Sequence, residues 1–144
     1  MKKSFVTIFT TLSLFLFLTN FASAQETTIF GIHRNIELKN ESQTKEVKIE
    51  MNEKECRFNL RINSVVRGGE VTIEIYNPNG KKQGNFSVGC EIQSDHAQET
   101  VNGQISKFID NPELGDWKIL IIPKNAEGKV TIEFTQDVIK TSSN

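Results

Sequence analysis

The sequence predicts an all-β protein, an antiparallel sandwich of the jelly-roll kind with about eight short strands. Three observations predict it. Apolar and polar residues alternate along most of the chain, the period of a strand with one buried face. Turn-forming residues interrupt the alternating runs at fairly even spacing. Helical periodicity is missing, so two sheets must bury one face each against the other.

In chain order, a weak first strand falls over residues 27–32, and Val47, Ile49 and Met51 mark a second. The clearest alternation is Cys56-Arg57-Phe58-Asn59-Leu60-Arg61-Ile62-Asn63, in which every second residue is apolar. The same beat returns at Val71, Ile73 and Ile75, then at Phe86, Val88, Cys90 and Ile92. Residues 93–104 form the longest polar stretch and read as a loop, followed by a weak strand over 104–109. Trp117, Ile119 and Ile121 alternate, but Leu120 and Ile122 make the second face apolar too. That pattern predicts a strand that is central or covered on both sides. Val130, Ile132 and Phe134 close the series. The punctuation is Arg67-Gly68-Gly69, Asn77-Pro78-Asn79-Gly80, Asn111-Pro112 with Gly115, and Asn125-Ala126-Glu127-Gly128.

Ahead of this pattern lie Lys2-Lys3, an apolar run from Phe5 to Leu18 and the small-residue exit Ala22-Ser23-Ala24. That is the build of a secretory signal peptide, with cleavage expected between Ala24 and Gln25. Thr7, Thr10, Thr11, Ser13, Thr19 and Asn20 interrupt the run, which suits a removable leader better than a permanent anchor, so no membrane span is expected after cleavage. The expected product, residues 25–144, is the size of one domain and is periplasmic or secreted. Of 17 Lys and Arg residues, Lys2 and Lys3 leave with the leader, so 15 face 18 Asp and Glu for a net charge of −3. Nucleic acid is therefore not an expected partner, since binding it takes a concentrated basic face.

Cys56 is in phase with Phe58, Leu60 and Ile62, and Cys90 with Phe86 and Val88, so both point inward. Two inward thiols on an exported sandwich are expected to form a disulfide, which the chain-entropy model values at roughly 4 kcal/mol. The alternative is two separate buried thiols packing as small hydrophobes.

Catalytic patterns are sparse. His33 and His96 are the only histidines, too few and too far apart for a zinc site. Asn85-Phe86-Ser87-Val88-Gly89 lacks the first glycine of a nucleophile elbow and sits in a strand, even with Asp95 and His96 close behind. Asp110, Glu113 and Asp116 share one turn-rich loop, where carboxylates could converge on calcium or serve as the acid pair of a glycosidase; nothing in the spacing fixes that convergence, and a solvated loop is the simpler reading. No other cofactor is expected. Among the aromatics, Trp117 reads as core, and Tyr76, out of phase with Ile75 and next to a turn, reads as an exposed contact residue.

Two stretches resemble a known family. Val71-Thr72-Ile73-Glu74-Ile75-Tyr76-Asn77-Pro78-Asn79-Gly80 is similar to the strand and turn of bacterial pre-peptidase C-terminal domains and of the P domains of subtilisin-like proteases. Gly115-Asp116-Trp117-Lys118-Ile119-Leu120-Ile121, with Gly128 and Val130 to Phe134, is similar to their closing strand and hairpin. Here Glu70-Val71 replaces their usual Asp-Leu step, and no protease domain precedes it. The resemblance, about residues 71–136, implies a noncatalytic jelly-roll domain of the kind that accompanies secreted enzymes.

The expectation that follows is an exported, noncatalytic sandwich that binds a protein or a cell-surface glycan. Its contact surface would be residues 93–104 and the loop holding Asp110, Glu113 and Asp116, with Tyr76 at the rim. The rival readings are a small secreted hydrolase using those loop carboxylates, and a purely structural envelope protein.

Overall fold

The computed structural model describes residues 27–91 and 99–139. They form six antiparallel strands and no helix: β1 (Thr27–Glu41), β2 (Lys45–Met51), β3 (Cys56–Tyr76), β4 (Lys82–Cys90), β5 (Val101–Asp110) and β6 (Gly115–Ile139). Two of the six are long enough to serve both layers of the molecule. Residues 56–66 of β3 lie between β5 and residues 128–138 of β6, whereas residues 70–76 lie between β4 and residues 118–124 of β6. β1 extends the first layer along β6, and β2 extends the second. The first layer thus runs β1–β6–β3–β5 and the second β2–β6–β3–β4.

The bends that divide the layers explain why about eight strands were expected and six are found. Arg67-Gly68-Gly69 and Asn125-Ala126-Glu127-Gly128 carry turn chemistry, but each is a corner inside a continuous strand. Register slips between Val66, Gly68 and Glu70 mark the corner of β3. Gly69 has φ of 71°, and a Cβ there would run into the carbonyl oxygens of Lys124 and Asn125. A Cβ on Gly128 would strike the carbonyl oxygen of Val65. Only glycine lets the two corners touch backbone to backbone.

Folding β3 and β6 over at these corners brings the inner faces together. The Phe58 ring of the first layer lies 5.0 Å from the Trp117 ring of the second and 5.3 Å from Phe134 of its own layer. All the inward positions that the alternation marks in β2, β3, and residues 117–121 and 130–134 of β6 are buried. The Trp117 indole, 3% exposed, donates to the Glu113 carbonyl oxygen at 3.0 Å, so its one polar group is satisfied inside. Residues 117–121 are central, flanked by β2 and β3, but they are not covered on both sides, because Leu120 and Ile122 face outward half-buried.

Further expectations need correction or fall outside. β1 reaches Glu41 instead of ending near residue 32, and residues 101–104 belong to β5 and not to a loop. Residues 1–24, the expected leader, and residues 92–98, with Asp95 and His96, lie outside the described residues. The disulfide is not formed: Cys56 and Cys90 are both free. Both are buried, as their phase required, but Cys56 opens β3 while Cys90 ends β4 opposite Gly69 at the corner. About ten residues of extended strand, ~33 Å, lie between Cys56 and that corner, against the ~7 Å that a disulfide spans between Cα atoms. Strand phase tells which way a thiol points; it does not tell where along the sandwich it sits.

Candidate functional site

The carboxylates singled out in the sequence do not converge. Asp110 ends β5 on the outer face of the first layer, exposed, with Arg57 Nε 3.3 Å from its Oδ1. Asp116 lies on the outer face of the second layer, on the other side of the molecule, and stands opposite Glu50. Glu113 lies between them and is committed to the neighbouring turn. Its Oε2 accepts from Asn77 Nδ2 at 2.7 Å and from Asn79 Nδ2 at 2.8 Å. Asn77, 3% exposed, also holds its own turn, accepting from the Lys81 amide at 2.7 Å through Oδ1. Glu113 is thus a clasp that joins the β3–β4 turn to the β5–β6 loop. Among the described residues no three His, Cys, Asp or Glu side chains come together as a metal site.

Tyr76 points outward, as its phase predicts, but it is half-buried and engaged. Its hydroxyl donates to Glu74 Oε2 at 2.6 Å, and Lys82 Nζ donates to Glu74 Oε1 at 2.5 Å while lying 5.6 Å from the ring centre. The lysine bond, then the tyrosine bond, hold the Glu74 carboxyl below the usual carboxylate range. The same contacts with Glu74 raise Tyr76 and Lys82. This trio braces neighbouring strands of the second layer.

The thiols are equally committed to structure. Cys56 Sγ donates to the Glu53 carbonyl oxygen at 3.1 Å, and burial pushes its thiol pKa up, the reverse of what a nucleophile needs. Cys90 Sγ donates to the Glu99 carbonyl oxygen at 3.5 Å. Cys90 lines a pocket of 620 Å³ at the corner, together with Gly69, Glu70, Gly89, Glu91, Lys124, Asn125 and Asn40. Carboxylates and one ammonium share that pocket without a catalytic pairing.

The surface that stands out is the outer face of the first layer, which the alternation places there and which the sequence reading passed over. The pairing registers arrange it in rows across four strands. Gly31, Thr135, Asn59 and Phe108 form one row; His33, Glu133, Arg61 and Ser106 the next; Asn35, Thr131, Asn63 and Gln104 the third. Amides and hydroxyls dominate and several are already linked: Thr131 Oγ1 donates to Asn35 Oδ1 at 2.9 Å, and Gln104 Nε2 to Ser106 Oγ at 3.2 Å. Phe108 stands among them 74% exposed, and the neighbouring Asn59 Oδ1 is buried without a hydrogen-bond partner among the described residues. A single exposed ring is ordinary on a protein surface; what distinguishes this one is its place among rows of amides and hydroxyls. The signal was present in the sequence: Ile105 and Ile109 share a phase with Lys107, which leaves Phe108 on the opposite side with Gln104 and Ser106.

Several charges on this face are set beside opposite ones. Arg57 meets Asp110, Arg61 Nη1 is 3.7 Å from Glu133, His33 Nδ1 is 3.6 Å from the same carboxylate, and Lys129 stands opposite Glu37.

No protein-family model matches the chain, and no curated protein matches it. Among solved structures it is similar to a chain from Bacillus endospore appendages, which are described as a novel family of disulfide-linked pili. The match has 12% identity and a TM-score of 0.42 and covers 81% of this chain and 92% of that one.

Proposed function

We propose that this chain is an exported, noncatalytic sandwich that binds a neutral glycan on the outer face of its first layer. The observation that carries the reading is the Phe108 ring, three-quarters exposed on the outer face of the first layer and flanked by rows of amides and hydroxyls. A sugar ring offers an apolar C–H face to stack on a phenyl group and hydroxyls to pair with Asn, Gln, Ser and Thr, so this mixture suits it. The charges nearest the ring narrow the class: Arg57, Arg61 and His33 each lie beside a carboxylate, which leaves them less free to attract a sulfate or uronate.

Noncatalytic action fits the way Asp110, Glu113, Asp116, Cys56 and Cys90 are engaged in structure. It also fits the resemblance of residues 71–136 to accessory domains of secreted proteases. Export rests on the composition of residues 1–24.

A glycan array probed with residues 25–144 tests the proposal. Binding to neutral glycans, reduced about tenfold or more by Phe108→Ala at unchanged melting temperature, is the expected result. Silence across the array, or binding indifferent to Phe108, would remove the proposal; selective binding to sulfated or uronic chains would contradict its charge argument.

A further inference from the structure

The four outer strands of the two layers are not protected alike. β4 and β5 face each other across the layers, and Lys107 of β5 reaches over to donate to the Gln83 carbonyl oxygen of β4. An inward-pointing lysine is a known way to keep an edge from pairing with another chain. β2 is only seven residues long and presents Glu46, Lys48 and Glu50 on its outer side. β1 is different: it runs for 15 residues and pairs with β6 alone among the described strands. Its inner row is incompletely covered, with Phe30 55% exposed and Ile32 and Ile36 only partly buried.

We propose that β1 pairs antiparallel with β1 of a second copy of this chain, around a two-fold axis at Asn35. The charge pattern selects both the occupant and the register. Directly opposed residues of an antiparallel pair share a face, so a symmetric pairing matches residues whose numbers sum to twice that of the axial residue. With Asn35 on the axis, His33 of each copy stands opposite Glu37 of the other. The line of side chains crossing the junction then reads Lys129, Glu37, partner's His33, partner's Glu133, partner's Arg61. Carboxylate and nitrogen base alternate along it. The next line joins Asn63, Thr131 and Asn35 to the same three residues of the partner subunit. Ile32 meets Leu38 on the inner side. Moving the axis to Arg34 sets two guanidiniums against each other, and moving it to His33 does the same with two imidazoles, so the alternatives lose this match. The product joins two four-stranded layers into one sheet of eight, with the amide and hydroxyl rows continuous across it. This assembly does not depend on what the face binds.

Sedimentation and cysteine cross-linking of residues 25–144 test it. The unmodified protein is expected to sediment as a concentration-dependent dimer; a monomer throughout the micromolar range overturns the proposal without any variant. Under mild oxidation Asn35→Cys is expected to give a covalent dimer. His33→Cys and Glu37→Cys should each stay monomeric on a non-reducing gel when oxidised alone and cross-link when mixed, because each then faces the other. A dimer in which Asn35→Cys fails to cross-link, or in which His33→Cys links to itself as readily as to Glu37→Cys, overturns the register and with it the proposal.

Discussion

Glu113 illustrates how a surface carboxylate can carry structure. One of its oxygens accepts from two amides, and one of those belongs to the buried Asn77. Glu113→Ala leaves that amide donor without its partner, and the expected loss is about 1–3 kcal/mol in urea unfolding. Asp116→Ala, which touches no such group, should stay within about 0.5 kcal/mol of the parent. Glu74 makes a prediction in pH. Its folded pKa lies below the unfolded value because Lys82 and then Tyr76 bond to its charged form. The stabilisation is therefore complete above the ordinary carboxylate pKa, about 4.3, and fades as pH falls through the folded value. Glu74→Gln should lower the melting temperature at neutral pH and flatten its decline on acidification. Melting curves taken from neutral pH to about pH 3 would show this; an unchanged acid slope would mean that the trio adds nothing.

At the scale of elements, the two corners set the architecture. Gly69→Ala must place a methyl group against two carbonyl oxygens at positive φ, so a loss of about 3 kcal/mol or more is expected. Gly80→Ala, also at positive φ but in open space, should cost about 1 kcal/mol. Equal losses for the two, read from urea midpoints, would mean that the close approach of the corners is not what holds the layers folded over. These corners also show what the sequence could and could not reveal. Alternation is a local property, so the inward rows from Val47 to Phe134 were legible, Trp117 among them. Whether Gly68-Gly69 ends a strand or bends it depends on a partner some sixty residues away, and nothing local distinguishes the two. Phe108 was legible in phase but lay in a weak strand whose inner row includes Lys107, which blurred the alternation. The loop of Asp110, Glu113 and Asp116 looked convergent because its residues are close in sequence; the β5–β6 crossing sends the first and last to opposite faces.

For the whole molecule, the thiols give a simple count. With Cys56 and Cys90 at opposite ends of the sandwich, protein denatured without reductant should show two titratable thiols. Folded protein should alkylate slowly, since both sulfurs are buried and burial raises the Cys56 pKa. One consumed pair would require the ends to meet and would contradict the layer arrangement. The functional proposal treats the molecule as a platform, with a packed interior that holds four strands in register and a polar outer face that meets the ligand. Amide chemical-shift mapping during titration with a neutral oligosaccharide tests that claim most directly. The account predicts shifts confined to the outer rows around Asn59, Arg61, Asn63, Phe108 and Thr131; shifts centred on Tyr76 and the 110–116 loop, or none at saturating sugar, would contradict it.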